Sequence, residues 1–194
     1  MRGFTLLELS IVLMIIGILS MGALNLLITG TNYTQIKSTE QTIEQIIDAI
    51  YGFVIIENRF PCADDDQDGI ENCPNSSVGF LPWKDLGVGK YDAWGQQFHY
   101  VVDSSLISAP LNPNYTSSIK LFLKGDTEPI PLVPAIIWSA GKDFATSPRG
   151  GCETENTDGD TVFNLCKYVP GNDILKWPKW YVVVNRLIRS RQLP

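Results

Sequence analysis

An apolar segment near the start of the chain, Phe4–Ile28, constrains the fold more than any other feature. Its 25 residues would form a helix about 37 Å long, because an α-helix rises about 1.5 Å per residue. The hydrocarbon core of a bilayer is about 30 Å thick. The segment is apolar on every side, whereas a helix on the surface of a soluble domain has one polar face. The sequence therefore predicts a membrane-spanning helix.

A cleaved secretory signal is the alternative interpretation of this segment. Such a signal has a basic start, an apolar core of about 7–15 residues and a cleavage site made of small residues. Here only Met1, Arg2 and Gly3 precede the apolar run, the run is too long, and no clean cleavage site follows it. Because positive charge stays on the cytoplasmic side, Arg2 predicts a cytoplasmic N-terminus and a body across the membrane.

Glu8 is the only charged residue between Arg2 and Lys37. A carboxylate in a membrane is costly unless it is paired or lies near the interface. Two interpretations are open. Glu8 reaches the cytoplasmic headgroups, or it pairs with a cation from another chain, such as a free N-terminal amine.

Residues 2–8, RGFTLLE, precede the rest of the apolar run and closely resemble the type III signal of type IV prepilins and pseudopilins. The resemblance implies that a prepilin peptidase cuts after Gly3 and methylates the new N-terminal residue, Phe4. It also implies that Glu8 meets the Phe4 amine of a neighbouring subunit during assembly.

These observations divide the chain into expected segments: a leader peptide (1–3), a transmembrane and polymerisation helix (4–28), an amphipathic continuation of that helix (29–58) and a periplasmic or extracellular body (59–194). The expected partners are other pilin or pseudopilin subunits, the prepilin peptidase and the assembly platform of the inner membrane. The chain is expected to be a single-pass protein of the bacterial inner membrane that later enters a periplasmic or surface filament.

The continuation of the helix has a helical repeat of apolar residues. Between Thr31 and Asn58 they are spaced by seven, four, three and four positions, which places them on one helix face: Ile36, Ile43, Ile47, Ile50 and Val54. This face is expected to pack on a sheet. The helix should end near Asn58–Pro61, because proline restricts the residue before it.

The body shows short extended runs between Gly, Pro and Asn residues. The predicted strands are Gln97–Val102, Ile119–Lys124 and Ile136–Ser139. Tyr181–Gln192 reads as an amphipathic helix with Val184, Leu187 and Ile188 on its apolar side, although its valine run also allows a strand start. The fold class is therefore α+β and pilin-like, with a long N-terminal helix, a small antiparallel sheet, many loops and disulfide bonds.

Two further stretches add to the resemblance. Residues 92–100, DAWGQQFHY, look like the Asp-x-Trp-Gly element of secretion-type pseudopilins, and Ser139–Asp143 together with Asp173 looks like a loop that binds calcium in the major pseudopilin. Asp143 and Asp173 match by position, but Lys142 and a large insertion, 144–171, depart from the pattern. With the insertion's Asp158 and Asp160, they form a second candidate metal site.

Four cysteines, Cys62, Cys73, Cys152 and Cys166, allow three pairings. Pairing Cys62 with Cys73 and Cys152 with Cys166 closes two short acidic loops, and an exported body favours disulfides. A zinc site is the competing interpretation. It lacks the usual C-x-x-C spacing, and the only histidine, His99, is distant.

The first of these loops contains Asp64, Asp66 and Asp68, followed by Gly69. Oxygens at alternate positions before a glycine form the start of a calcium loop, in which the Ile70 carbonyl and Asn72 are the next candidate ligands. A full EF-hand would need Glu at position 75, which is Asn75. The alternative is a solvated acidic loop without a metal.

A catalytic constellation does not emerge from the sequence. The chain has one histidine and no G-x-S-x-G, H-E-x-x-H or Walker loop, so we expect no enzyme. A net charge of -6 argues against nucleic acid as a partner. The expected function is that of a pseudopilin or minor pilin in a type II secretion or type IV pilus-like filament. The alternative is a single-pass, calcium-dependent binding protein or adhesin that acts outside a filament.

Overall fold

The computed structural model describes residues 5–108, 110–123, 126–142, 156, 160–165 and 173–191, without the side chains of residues 21–30. Helix α1 runs from Leu6 to Glu57. Asn58 then takes a left-handed conformation with φ of 53° and donates its N–H to the Val54 carbonyl, which ends the helix where the sequence predicts. The chain divides into two compact units, Met1–Gln35 and Ile36–Pro194.

The second unit contains the other elements that lie among the described residues. In chain order they are β1 (Val78–Phe80), α2 (Trp83–Leu86), β2 (His99–Val102), a 3₁₀ turn (Ser104–Leu106), β3 (Lys120–Leu123), β4 (Ala135–Ser139), β5 (Val162–Leu165), β6 (Ile174–Lys176) and α3 (Trp180–Arg189). The α+β class is confirmed.

Four strands form an antiparallel sheet with the order β1-β2-β4-β6. This confirms the small antiparallel sheet, and β2 and β4 lie within or close to their predicted ranges. Both β1 and β6 contain three residues, which is too short for an alternating pattern to stand out in the sequence.

The predicted strand Ile119–Lys124 forms as β3 but does not join this sheet. It pairs in parallel with β5, with Leu121 opposite Phe163. The reason is that β4 is buried on both faces. Ala135 and Ile137 face one core cluster. The alternate β4 residues, Ile136 and Trp138, face a second cluster, which also contains Leu121 of β3 and Phe163 of β5.

The first core cluster confirms the predicted face of α1. All five residues of its apolar repeat are buried: Ile36, Ile43, Ile47, Ile50 and Val54. They lie in one cluster with Tyr100 of β2 and Leu187 of α3. Burying an aliphatic side chain of this size stabilises a fold by about 1.5–3 kcal/mol, so this face of α1 organises the second unit.

Helix α3 confirms the predicted C-terminal helix and excludes the alternative of a strand start. Its buried residues are Trp180, Val183 and Leu187, whereas Ile188 is half exposed. The predicted apolar side is therefore wrong by a fraction of a turn. The ring of Trp180 lies 4.8 Å from that of Tyr115, and this contact fixes the rotation of the helix.

Candidate functional site: the N-terminal helix and the acidic loop

The described start of α1 is an apolar surface exposed to solvent. From Leu6 to Leu19 its large apolar side chains are between 46% (Val12) and 88% (Leu6) exposed. A contiguous apolar surface of this extent marks a contact with protein or lipid. Of the residues implied in processing, Gly3 and Phe4 lie outside the described part of the chain.

Glu8 lies in the first turn of this helix. The Glu8 N–H donates to the Thr5 hydroxyl oxygen at 3.3 Å, and the Leu9 N–H donates to the Thr5 carbonyl at 3.2 Å, so Thr5 is the N-cap. Sequence reasoning missed this role, although Thr5-x-x-Glu8 has the spacing of a capping box. The exposed Glu8 carboxylate therefore lies at the positive end of the helix dipole.

The acidic loop is closed as predicted by a disulfide between Cys62 and Cys73. Cys152 and Cys166 lie outside the described residues. The Arg59 guanidinium also holds the loop, through two hydrogen bonds of 2.8 and 2.6 Å to the Glu71 carboxylate. Burial alone would raise the pKa of Glu71, but the hydrogen bonds from Arg59 and from the Cys62 N–H outweigh burial and lower it.

Inside the loop, Asp64, Asp66 and Asp68 converge. One carboxylate oxygen from each lies within 4.8 Å of the others. Asp64 is fully buried and accepts the N–H groups of Gln67 and Gly69, each at 2.7 Å. Burial and the neighbouring Asp66 carboxylate raise the pKa of Asp64 despite these bonds. Carboxylate oxygens are the ligand type that calcium takes, usually about six to eight oxygens per ion.

The other two predicted ligands form hydrogen bonds that shape the loop. The Asn72 side-chain oxygen accepts the Asp65 N–H at 2.8 Å, and the Ile70 N–H donates to the Asp68 carboxylate at 2.7 Å. The structure therefore brings the three aspartates together and uses Asn72 to close the loop around them.

The second candidate metal site is only partly described. Asp143 and Asp158 lie outside the described residues. The Asp160 carboxylate accepts the Val162 N–H at 2.6 Å, and the Asp173 carboxylate accepts an N–H of Asn156 at 3.2 Å. Among described residues, neither aspartate belongs to a three-residue acidic group, and a metal at this position stays a prediction.

Gly69 shapes the acidic loop through its conformation and its close contact with Trp83. Its φ is 90°, and a Cβ atom placed there would lie 2.5 Å from the Trp83 indole nitrogen. Only glycine satisfies both conditions, because L-residues rarely adopt this φ and the ring leaves no space.

We expect Gly69→Ala to lower the free energy of unfolding by about 2–4 kcal/mol, from left-handed strain plus overpacking. Gly95→Ala is the matched control, because Gly95 has φ of 80° but a Cβ atom added there would meet nothing within 4 Å. It should lose only the strain, about 1–2 kcal/mol. Trp fluorescence during urea unfolding of the full chain in detergent measures both, and equal losses would contradict the role of the contact with Trp83.

The two body elements that resemble pseudopilins meet in space. One Asp92 carboxylate oxygen accepts the N–H groups of Trp94 and Gln96, each at 2.8 Å, and the other accepts the Ser139 hydroxyl. The Ala93 N–H donates to the Thr39 hydroxyl oxygen of α1 at 3.2 Å. Asp92 therefore clasps the Trp-Gly turn to the end of β4 and beside α1.

His99 lies between two aromatic rings. Its ring centroid is 4.9 Å from that of Phe80 and 4.8 Å from that of Trp138, on which it stacks. This position gives His99 a packing role between β1 and β4.

Within the described part of the chain, no helix has both the length and the apolar character needed to cross a membrane. No curated protein matches the chain, and no solved structure matches it. Residues 1–24 match the family model of the prokaryotic N-terminal methylation motif. The start of the chain thus carries the prepilin-type signature of type IV pilins and pseudopilins.

Proposed function

We propose that this chain is a pseudopilin or minor pilin, a structural subunit of a type II secretion or type IV pilus-like filament. The observation that carries the proposal is the methylation motif at residues 1–24, which supports a pilin-like subunit. The exposed apolar start of α1 and the accessible Glu8 add to it, because a subunit of this kind assembles through that helix.

The proposed mechanism is assembly rather than catalysis. The apolar segment 4–28 holds the subunit in the inner membrane, with the body in the periplasm. Cleavage after Gly3 frees the Phe4 amine, and Glu8 of one subunit pairs with that amine on a neighbour. Pairing removes the penalty of an isolated charge among apolar helices and sets the axial register of the two subunits.

The body favours a secretion-type subunit within this class. The Asp92 clasp joins the two elements that resemble secretion pseudopilins. The insertion 144–171 contributes β5, which covers the outer face of the sheet beside β3.

Processing at Gly3 is the direct test of this proposal. We expect the full chain, co-expressed with an active prepilin peptidase, to lose residues 1–3 and gain one methyl group on Phe4. Intact-mass spectrometry measures both changes, and co-expression with an inactive peptidase is the control. A chain that keeps Met1 beside the active peptidase would contradict the proposal and favour a single-pass adhesin.

We also propose that the acidic loop binds calcium through Asp64, Asp66 and Asp68, with the Ile70 carbonyl as a further ligand. The support is the convergence of the three carboxylates around a buried Asp64 whose pKa is raised by burial and by Asp66. A divalent cation would relieve that repulsion.

Calcium should raise the melting temperature of the full chain in detergent. At a calcium concentration of 100 Kd the expected stabilisation is about 2.7 kcal/mol, or roughly 5–10 °C for a chain of this size. Asp66→Asn is the matched variant, since it keeps the side-chain volume and should remove most of the shift. Equal melting temperatures in calcium and in chelator would contradict the proposal that this loop binds calcium.

A further inference from the structure

The outward face of α3 is an exposed surface with both aromatic and basic residues. Tyr181, Asn185, Ile188 and Arg189 follow one helical face, and Tyr181 is 73% exposed. A shallow cavity of about 180 Å³ lies along it, lined by Tyr181, Val182, Asn185, Arg186 and Arg189. Tyrosine and arginine are the residue types that most often dominate protein interfaces.

The surroundings of this face are basic on a protein that is acidic overall. Five cations lie on or beside α3: Lys176, Lys179, Arg186, Arg189 and Arg191. Two carboxylates of α1 offset them, since Glu44 pairs with Lys176 at 2.7 Å and Asp48 pairs with Arg186 at 3.2 Å. Five positive and two negative groups leave a surplus of three positive charges, against a net charge of -6 for the chain.

The acidic loop has the opposite surplus. Seven carboxylates lie in or beside it: Glu57, Asp64, Asp65, Asp66, Asp68, Glu71 and Asp85. Three cations lie nearby, since Arg59 pairs with Glu71 and the Lys84 and Lys90 ammonium groups lie over the Trp83 ring. The surplus is four negative charges. Asp65, Asp66 and Asp68 are exposed, and no ion pair within the described residues joins this loop to α3.

The two surfaces are displaced along α1. Arg186 of α3 pairs with Asp48, whereas the acidic loop is tied to the chain just beyond Glu57, the last residue of the helix. Nine residues of helix correspond to about 13 Å. A second copy displaced along the helix by about this distance would bring its α3 level with the acidic loop of the first copy.

We propose that the acidic loop of one copy, when it holds no calcium, docks on the α3 face of the next copy. The inference rests on the proposed filament function and adds a contact between bodies to it. A second copy is the favoured occupant because one chain carries both surfaces, with opposite charge surpluses at different heights. Two different complementary surfaces make a head-to-tail contact, which repeats without closing and so extends a filament.

A photo-crosslinker in place of Tyr181 tests this contact in the full, processed chain. Cells that assemble the protein would express a tagged copy with p-benzoylphenylalanine at position 181 beside an untagged wild-type copy. We expect irradiation in chelating buffer to yield a dimer on a denaturing gel, with the crosslinked peptide of the partner copy containing Asp65–Asp68. The same crosslinker at Leu123, which is 42% exposed on β3, is the control and should not reach that peptide.

Charge reversal sharpens the test. Arg189→Glu and Asp65→Lys should each reduce the dimer about fivefold or more, because like charges then meet, and the double variant should restore it. Asp65→Lys leaves the backbone N–H bond to Asn72 in place, so the loop keeps its conformation.

If the chain forms filaments but its crosslinks map to other parts of the partner copy, or to another protein, the inference is overturned and the proposed function stands. Failure of the double variant to restore the dimer would also overturn it. A chain that stays unprocessed and forms no filament would instead contradict the proposed function, and the inference with it.

Discussion

A Glu8→Gln chain should be processed and inserted like the wild type but should enter filaments at least about 100-fold less. Removing one partner of a charge pair in an apolar surrounding is destabilising by about 3–5 kcal/mol, and each 1.4 kcal/mol is tenfold in an equilibrium. Gln keeps the volume of the side chain and the Thr5 cap of the Glu8 N–H, so the change isolates the charge.

The measurement is the share of the chain recovered with sheared filaments relative to the share left in the membrane. Ser10→Ala is the matched control, because Ser10 lies in the same exposed segment and its hydroxyl bonds only locally, to the Leu7 carbonyl at 2.8 Å. It should leave assembly unchanged. Wild-type recovery of Glu8→Gln would show that Glu8 does not set the register.

The second large effect concerns stability. We expect Asp103→Asn to lower the free energy of unfolding by about 3 kcal/mol. The buried Asp103 carboxylate accepts hydrogen bonds from the backbone and hydroxyl groups of Ser105 and Ser118, at 2.6–2.9 Å, and contacts the Tyr115 hydroxyl at 3.0 Å. Asn would turn a donor towards other donors, and hydrogen bonds to a charged acceptor contribute about 1.5–3 kcal/mol each.

The same carboxylate predicts a pH dependence. Burial alone would raise the pKa of Asp103, but the hydrogen bonds from Ser105 and Ser118 outweigh it and lower the pKa below its usual range. A carboxylate with a lower pKa in the folded chain stabilises the fold at pH values above its unfolded pKa, about 3.9. This stabilisation is lost as the pH falls towards the pKa of the folded chain. The difference in free energy of unfolding between wild type and Asp103→Asn should therefore be largest at neutral pH and shrink below about pH 4.

Urea unfolding of the full chain at pH 7 and pH 3.5 measures both effects. Asp126→Asn is the control, because Asp126 is exposed and its substitution should change stability by less than about 0.5 kcal/mol at either pH. A loss for Asp103→Asn that is small, or that does not shrink in acid, would contradict the role assigned to this carboxylate.

Local patterns in the sequence predicted the parts of this fold that depend on neighbouring residues. The period of α1 identified its buried face, the alternate aspartates after Cys62 identified the converging carboxylates, and the short spacing of Cys62 and Cys73 identified their disulfide. Each of these features lies within a few turns or one short loop of chain.

The parts that were missed depend on distant residues. The valine run of α3 offers two apolar faces, and contacts with distant residues select one, such as Trp180 with Tyr115 and Arg186 with Asp48. The donors of Asp103 come from both sides of a long loop, and Ser139 meets Asp92 across 47 positions. Spacing along the chain carries no signal for such pairs, so periodicity and motifs did not reveal them.

The parallel pair of β3 and β5 has a consequence for the order of folding. Its partners, Lys120 and Val162, are 42 positions apart, and closing a long stretch of chain without local contacts slows the step that requires it. The core between α1, β2 and β4 is completed by residues of β6 and α3, such as Ile174 and Leu187, and contains no β5 residue. We therefore expect the helix-facing half of the body to form without waiting for β5 to pair with β3. The outer layer on Trp138 should form last, and delayed arrival of β5 would leave Ile136 and Trp138 accessible to chaperones.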